Sequence, residues 1–148
     1  MPKKFIAAAA AGSVTMLLVG SLLYGFVFAG LFREGALTIP GVMKSRPEIL
    51  WIIAGQVGFG VLITLVISWR GAASFTRGAA TGGLFGFLMA IGYDFAQYGT
   101  SNLWTLQATL LDPLITATMV GSAGGVIGMI LGRDSGHGQK PLRIRACC

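Results

Sequence analysis

The chain has 148 residues, 54% of them hydrophobic and only 11% charged, with a mean hydropathy of +0.75. An ordinary soluble domain carries roughly 25% charged residues, so the length bounds one domain and the composition excludes a water-soluble one. The net charge of +6 would suggest nucleic-acid binding in a soluble protein, but here Lys and Arg gather at the ends of apolar runs and no nucleic-acid motif is present.

A bilayer core needs about 20 apolar residues in helix. The first such run covers residues 5–32, after Lys3 and Lys4 and before Arg33 and Glu34. Val27, Phe28 and Ala29 would pass as a signal-peptide cleavage site, but the run is far longer than a signal h-region of about 7–15 residues. It reads as a retained helix with Gly35 as its stop. The second run covers 47–69. Ser45 and Glu48 make a capping-box pattern at its start, Pro47 sits in the first turn, and Gly71 follows its end. The third covers 75–98, started by Ser74 and ended by Gly99.

The fourth run allows two starts. One long helix could begin at Leu103 and run to 132. Alternatively the helix begins at Pro113 with Asp112 as N-cap, because Asp-Pro is a strong start signal, and 113–132 has the length a bilayer needs. Under that favoured reading 103–111 is a short interfacial segment anchored by Trp104. Strands are disfavoured, since the runs are long and lack period-2 alternation. The fold class is therefore an all-α integral membrane protein, an antiparallel bundle of about four transmembrane helices over 1–133. A basic, disordered cytoplasmic tail follows over 134–148.

Positive charge orients the bundle. Lys3, Lys4, Arg70, Arg77, Arg133, Lys140, Arg143 and Arg145 fall on one side, and Arg33, Lys44 and Arg46 on the other. Both termini are thus expected in the cytoplasm. Trp51, Tyr93, Tyr98 and Trp104 would mark the outer interface and Trp69 the inner one. In architecture alone the pattern resembles small four-helix bacterial membrane proteins. The resemblance implies a bacterial-type inner (plasma) membrane and carries over no site residue. An offset of 70 pairs Ala9 with Ala79, Gly12 with Gly82 and Leu18 with Leu88, a weak sign of a duplicated hairpin.

Glycine spacing is the clearest motif. Gly78, Gly82 and Gly86 recur every fourth residue in the third run, and Gly124, Gly128 and Gly132 in the fourth, with Gly121 and Gly125 beside them. Such stripes let helices approach closely. They serve either packing inside one protomer or an interface with a homo-oligomer or partner membrane subunit.

Polar residues at membrane depth are the second feature. At roughly 1.5 Å per residue, Asp94 lies about 25 Å along the third helix from Arg77, and Asp112 about 31 Å from Arg133. Gln56 lies about 8 Å below Trp51, and Tyr93, Gln97, Asn102 and Gln107 share the level. These residues predict a polar cluster in the outer third, with Tyr24 and Gly25 near it. Asp94, Asp112, Gln56 and Tyr93 form the candidate polar or ion site. The structural alternative is that Asp112 only caps a helix and Asp94 only pairs with Arg33 or Arg46.

No catalytic motif stands out. His137 is the sole histidine and lies in the tail; Cys147 and Cys148 end the chain. There is no Ser/His/Asp set, phosphate loop or metal-type spacing, so no enzyme activity, cofactor or metal is expected. The expected partner is the lipid bilayer. Two functions follow: an accessory, assembly or scaffold component of the membrane, or a small oligomeric transporter or channel using the cluster around Asp94 and Asp112.

Overall fold

The computed structural model describes residues 2–35 and 48–133, and those residues form an all-α structure. Helix α1 spans Pro2–Leu22 and runs into a π-helical turn, Leu23–Val27. Helix α2 follows at Ala29–Gly35, then α3 at Ile49–Trp69, α4 at Phe75–Thr100 and α5 at Leu106–Gly132. Four segments are long and apolar enough to cross a membrane: Lys3–Val27, Ile49–Trp69, Phe75–Thr100 and Leu106–Gly132. Ser45, Pro47, Lys44, Arg46, His137 and the two cysteines lie outside the described residues, as does the tail.

The turn between α3 and α4 follows local chemistry. Gly71 takes a positive φ of 64°, which a Cβ would disfavour. Its N–H donates to the Ser68 carbonyl at 3.1 Å, and the Ala72 N–H donates to the Ile67 carbonyl at 3.1 Å. This pair of bonds is a Schellman motif, which satisfies the last carbonyls of α3. Two residues later Ser74 starts α4, its side chain accepting from the Arg77 N–H.

Four sequence expectations need correction. Residues 5–32 are not one regular helix: the Phe28 N–H bonds the Leu23 carbonyl at 2.8 Å, a π-type bond, and Phe28 then breaks the helix with φ −109° and ψ 12°. Helix α3 does not begin at Pro47 on a capping box. Glu48 is its N-cap in extended geometry and makes no side-chain cap bond. Helix α5 does not begin at Pro113. Thr105 is its N-cap, accepting from the Ala108 N–H, so residues 106–111 are continuous with the rest and Pro113 lies inside the helix. A membrane-length helix tolerates an interior proline where neighbours and hydroxyl side chains satisfy the freed groups. Helix α4 also runs two residues past its expected end, to Thr100. The Thr100 and Ser101 hydroxyls bond the Ala96 and Gln97 carbonyls there.

Helices α4 and α5 make the most extensive contact. Helix α1 packs on α5 and α3, while α3 touches α4 and α5 only lightly. Along the α4–α5 seam Gly78 meets Gly124 and Gly128, Gly82 meets Val120 and Gly124, and Gly86 meets Val120 and Thr116. Between α1 and α3, Gly60 lies against Ala9 and Ser13. Gly12 and Gly82, the pair matched by the 70-residue offset, both turn toward α5, at Ile127 and Val120.

The core gathers Met16, Ile63, Ile67, Val120, Ala123 and Ile127, with Ala8 and Ala72. It occupies the half of the bundle nearest the Gly71 turn. Small residues fill much of the interior, while Leu18, Leu62, Leu84, Leu88, Leu110 and Leu114 face outward. A water-soluble bundle sorts its large aliphatic side chains the other way.

Candidate functional site

At the end opposite the core, where α4 finishes and α5 begins, the bundle opens around a cavity of about 360 Å³. Thr105 starts α5 and Thr109 back-bonds the Thr105 carbonyl at 3.0 Å, so the first turn of α5 is held tightly. One turn further, Asp112 faces the π-helical turn of the first segment. There the Tyr24 hydroxyl donates to Asp112 Oδ1 at 2.7 Å and lies 3.1 Å from Thr116 Oγ1. Thr116 Oγ1 in turn donates to Asp112 Oδ2 at 3.3 Å. Both oxygens of Asp112 are therefore engaged by hydroxyl groups. The π-turn widens the helix at Tyr24, a device frequent at functional sites.

Asp94, in the last third of α4, lines the same cavity as Asp112 and interacts with it electrostatically. Its Oδ2 is buried and has no hydrogen-bond partner among the described residues. An orphaned buried oxygen of this kind is uncommon and calls for an explanation. Tyr24, Phe32, Tyr93 and Trp104 complete most of the wall. Tyr24 and Phe32 pack at 5.0 Å between ring centroids, and Phe32 and Trp104 meet edge-on at 5.9 Å.

The four polar candidates are not all brought together. Asp94, Asp112 and Tyr93 share this cavity, and Tyr93 also accepts from Gln97 Nε2 at 3.3 Å. Gln56 is elsewhere, in a second cavity of about 380 Å³ between α3 and α5 with Trp51, Phe59 and Met119. Thr116 lines that second cavity too, so it stands between the Asp112 network and the Gln56 chamber. Asp112 is not a helix cap, and the side chains of Arg33 and Arg46 lie outside the described residues. Gly25 lies against open space. Asn102 and Gln107 are exposed.

Each of Gly78, Gly82, Gly86, Gly124, Gly128 and Gly132 faces neighbouring atoms of the same chain, Gly132 against Ala73. Sequence reasoning placed Tyr24 near the site but missed Thr109, Thr116 and Phe32. Thr116 had a usable signal, since it follows Asp112 by one helical turn and an i,i+4 pair shares a face. Phe32 carried no local signal.

What the arrangement can do chemically is limited and definite. Two carboxylates face one cavity in an apolar setting, and no Lys, Arg or His lines it among the described residues. Two carboxyl groups so placed are relieved either by sharing a proton or by a bound positive charge. No family model, curated protein or solved structure matches this chain.

Proposed function

We propose that this chain is a small non-enzymatic integral membrane protein of a bacterial-type inner membrane, an antiparallel bundle with both ends in the cytoplasm. Its working centre is the acidic cavity, which takes a cation near the outer end of the bundle as part of a small transporter or channel. One observation carries this reading: Asp94 and Asp112 share a cavity with no cation among its described lining residues, and Asp94 Oδ2 is buried without a hydrogen-bond partner among the described residues. Carboxylates at membrane depth are costly unless something compensates them. The outward-facing leucines and the small interior residues support insertion in a bilayer. The contact order along α4 and α5, rising on one helix and falling on the other, supports the antiparallel arrangement.

The test is calorimetric titration of the protein in lipid nanodiscs with monovalent and divalent cations. Binding should be saturable and should be lost in Asp94→Asn, with the circular dichroism spectrum and unfolding transition unchanged. Absence of binding by every cation, or undiminished binding by the variant, would remove the acidic cavity from the function.

A second reading, an accessory, assembly or scaffold component, keeps one observation of its own. The first half of α3 exposes Trp51, Ile53 and Val57, and both Gly55 and Gly58 have open space beside them. That face suits a second copy or a partner membrane subunit. Native mass measurement in mild detergent separates the readings: a stoichiometric foreign subunit supports the accessory role.

A further inference from the structure

The walls of the acidic cavity narrow the class of cation. Tyr24, Phe32 and Trp104 form one contiguous aromatic surface, with centroid separations of 5.0 and 5.9 Å, and Tyr93 adds a fourth ring at the cavity. Ring faces are electron-rich and attract a cation within about 6 Å, most of all one that sheds its water cheaply. The two carboxylates are unequal. Asp112 has both oxygens engaged by Tyr24 and Thr116, whereas Asp94 Oδ2 has no hydrogen-bond partner among the described residues. The site therefore sets the Asp94 carboxyl group beside an aromatic wall, with its Oδ2 enclosed by surrounding atoms and committed to no hydrogen bond among the described residues.

This combination suits a single, diffuse positive charge and not a hard metal ion. Calcium takes about 6–8 oxygen ligands, and among the described residues no three His, Cys, Asp or Glu side chains come together. The volume of about 360 Å³ is far more than a bare ion fills and falls at the small end of pockets for organic ligands, about 300–1,000 Å³.

We infer that the acidic cavity binds a small organic ammonium cation, its charge against Asp94 and its alkyl groups against the Tyr24, Phe32 and Trp104 wall. The inference rests on the cation-site reading above and specifies the ligand. No bond is made or broken in it.

The experiment uses the full chain in nanodiscs, titrated with tetramethylammonium, tetraethylammonium, Na⁺ and Ca²⁺ in separate calorimetric runs. Tetraethylammonium should bind saturably, with the two inorganic ions showing no Asp94-dependent heat. Asp94→Asn should weaken tetraethylammonium by at least about tenfold, and Trp104→Leu by roughly three- to tenfold, the range of a partly desolvated cation–π contact. Trp104→Phe keeps a ring face and should restore most of the affinity. If Trp104→Leu does not fold, Phe32→Leu reads the same wall. Asp94-dependent binding of Na⁺ or Ca²⁺ without tetraalkylammonium binding would overturn the organic class and leave the cation site standing. Binding of no cation would overturn both. Tetraethylammonium binding indifferent to the Asp94 and aromatic variants would place it outside this cavity and overturn the inference.

Discussion

Substituting Gly82 by alanine tests the packing of α4 on α5 most directly. A Cβ at Gly82 would stand 2.6 Å from the Val120 carbonyl oxygen and 3.1 Å from Gly124 Cα. Ordinary non-bonded contact begins at about 3.5 Å, so the two helices must move apart by on the order of 0.5–1 Å. A gap of that size forfeits about a quarter to a half of the dispersion attraction across the seam. Backbone has no rotamer with which to yield, so the cost falls in the overpacking range of about 1–3 kcal/mol. Alanine returns about 0.8–1 kcal/mol of helix propensity, leaving a net loss of about 0–2 kcal/mol. The assay is reversible unfolding in mixed micelles followed by far-ultraviolet circular dichroism. Gly92→Ala is the matched control, because nothing lies within 4 Å of a Cβ there. It should be neutral or gain up to about 1 kcal/mol. A Gly82→Ala protein as stable as Gly92→Ala would show that the close approach does not hold the pair together.

Other substitutions separate the local devices. Tyr24→Phe strips Asp112 Oδ1 of its 2.7 Å donor and should cost about 1–3 kcal/mol, the penalty for a buried acceptor left unpaired; an unchanged unfolding transition would argue against the bond. Gly71→Ala forces a Cβ into a φ of 64° and should cost about 1–2 kcal/mol, with Gly71→Asn losing less. For topology, Cys147 and Cys148 are first replaced by serine and single cysteines are placed at Lys3, Arg70 and Asn102. An impermeant maleimide added to intact cells should label only the Asn102 variant. Labelling of the Arg70 variant alongside it would refute the proposed arrangement.

Much of the architecture is legible in the residues because its causes are local. Apolar runs long enough to cross a bilayer, the Gly71 stop and the Ser74 start all act within a few residues of themselves. The failures come where a distant partner decides. Asp112 beside Pro113 carries a strong local cap signal, yet its carboxylate is claimed by Tyr24, a residue from the other end of the sequence. The π-turn at Leu23–Val27 has no sequence mark, since the extra residue in the turn coincides with a tertiary contact and not with a propensity. Gln56 shows a subtler limit. Rise per residue gives its distance along the helix, but that distance says nothing of rotation about the helix axis. Packing of α3 on α1 sets that angle, and it turns Gln56 into a separate cavity. The glycine stripes are likewise visible in the sequence, whereas their use within one protomer depends on which helix lies opposite.

The placement of small side chains within and large ones without also predicts how the chain tolerates change. In a water-soluble bundle the interior accepts few substitutions because it must stay filled, and the surface accepts many because it need only stay polar. Along the α4–α5 seam there is almost no room to fill: Gly78, Gly82, Gly124 and Gly128 meet backbone directly, so even one methyl group is excess. On the proposed insertion in a bilayer, the outward Leu84, Leu88, Leu110 and Leu114 should exchange freely with Ile, Val, Phe or Met, which suit acyl chains equally, but not with Asp or Lys. A saturation scan of this chain would therefore be sensitive to side-chain size on its inner faces and to polarity on its outer ones.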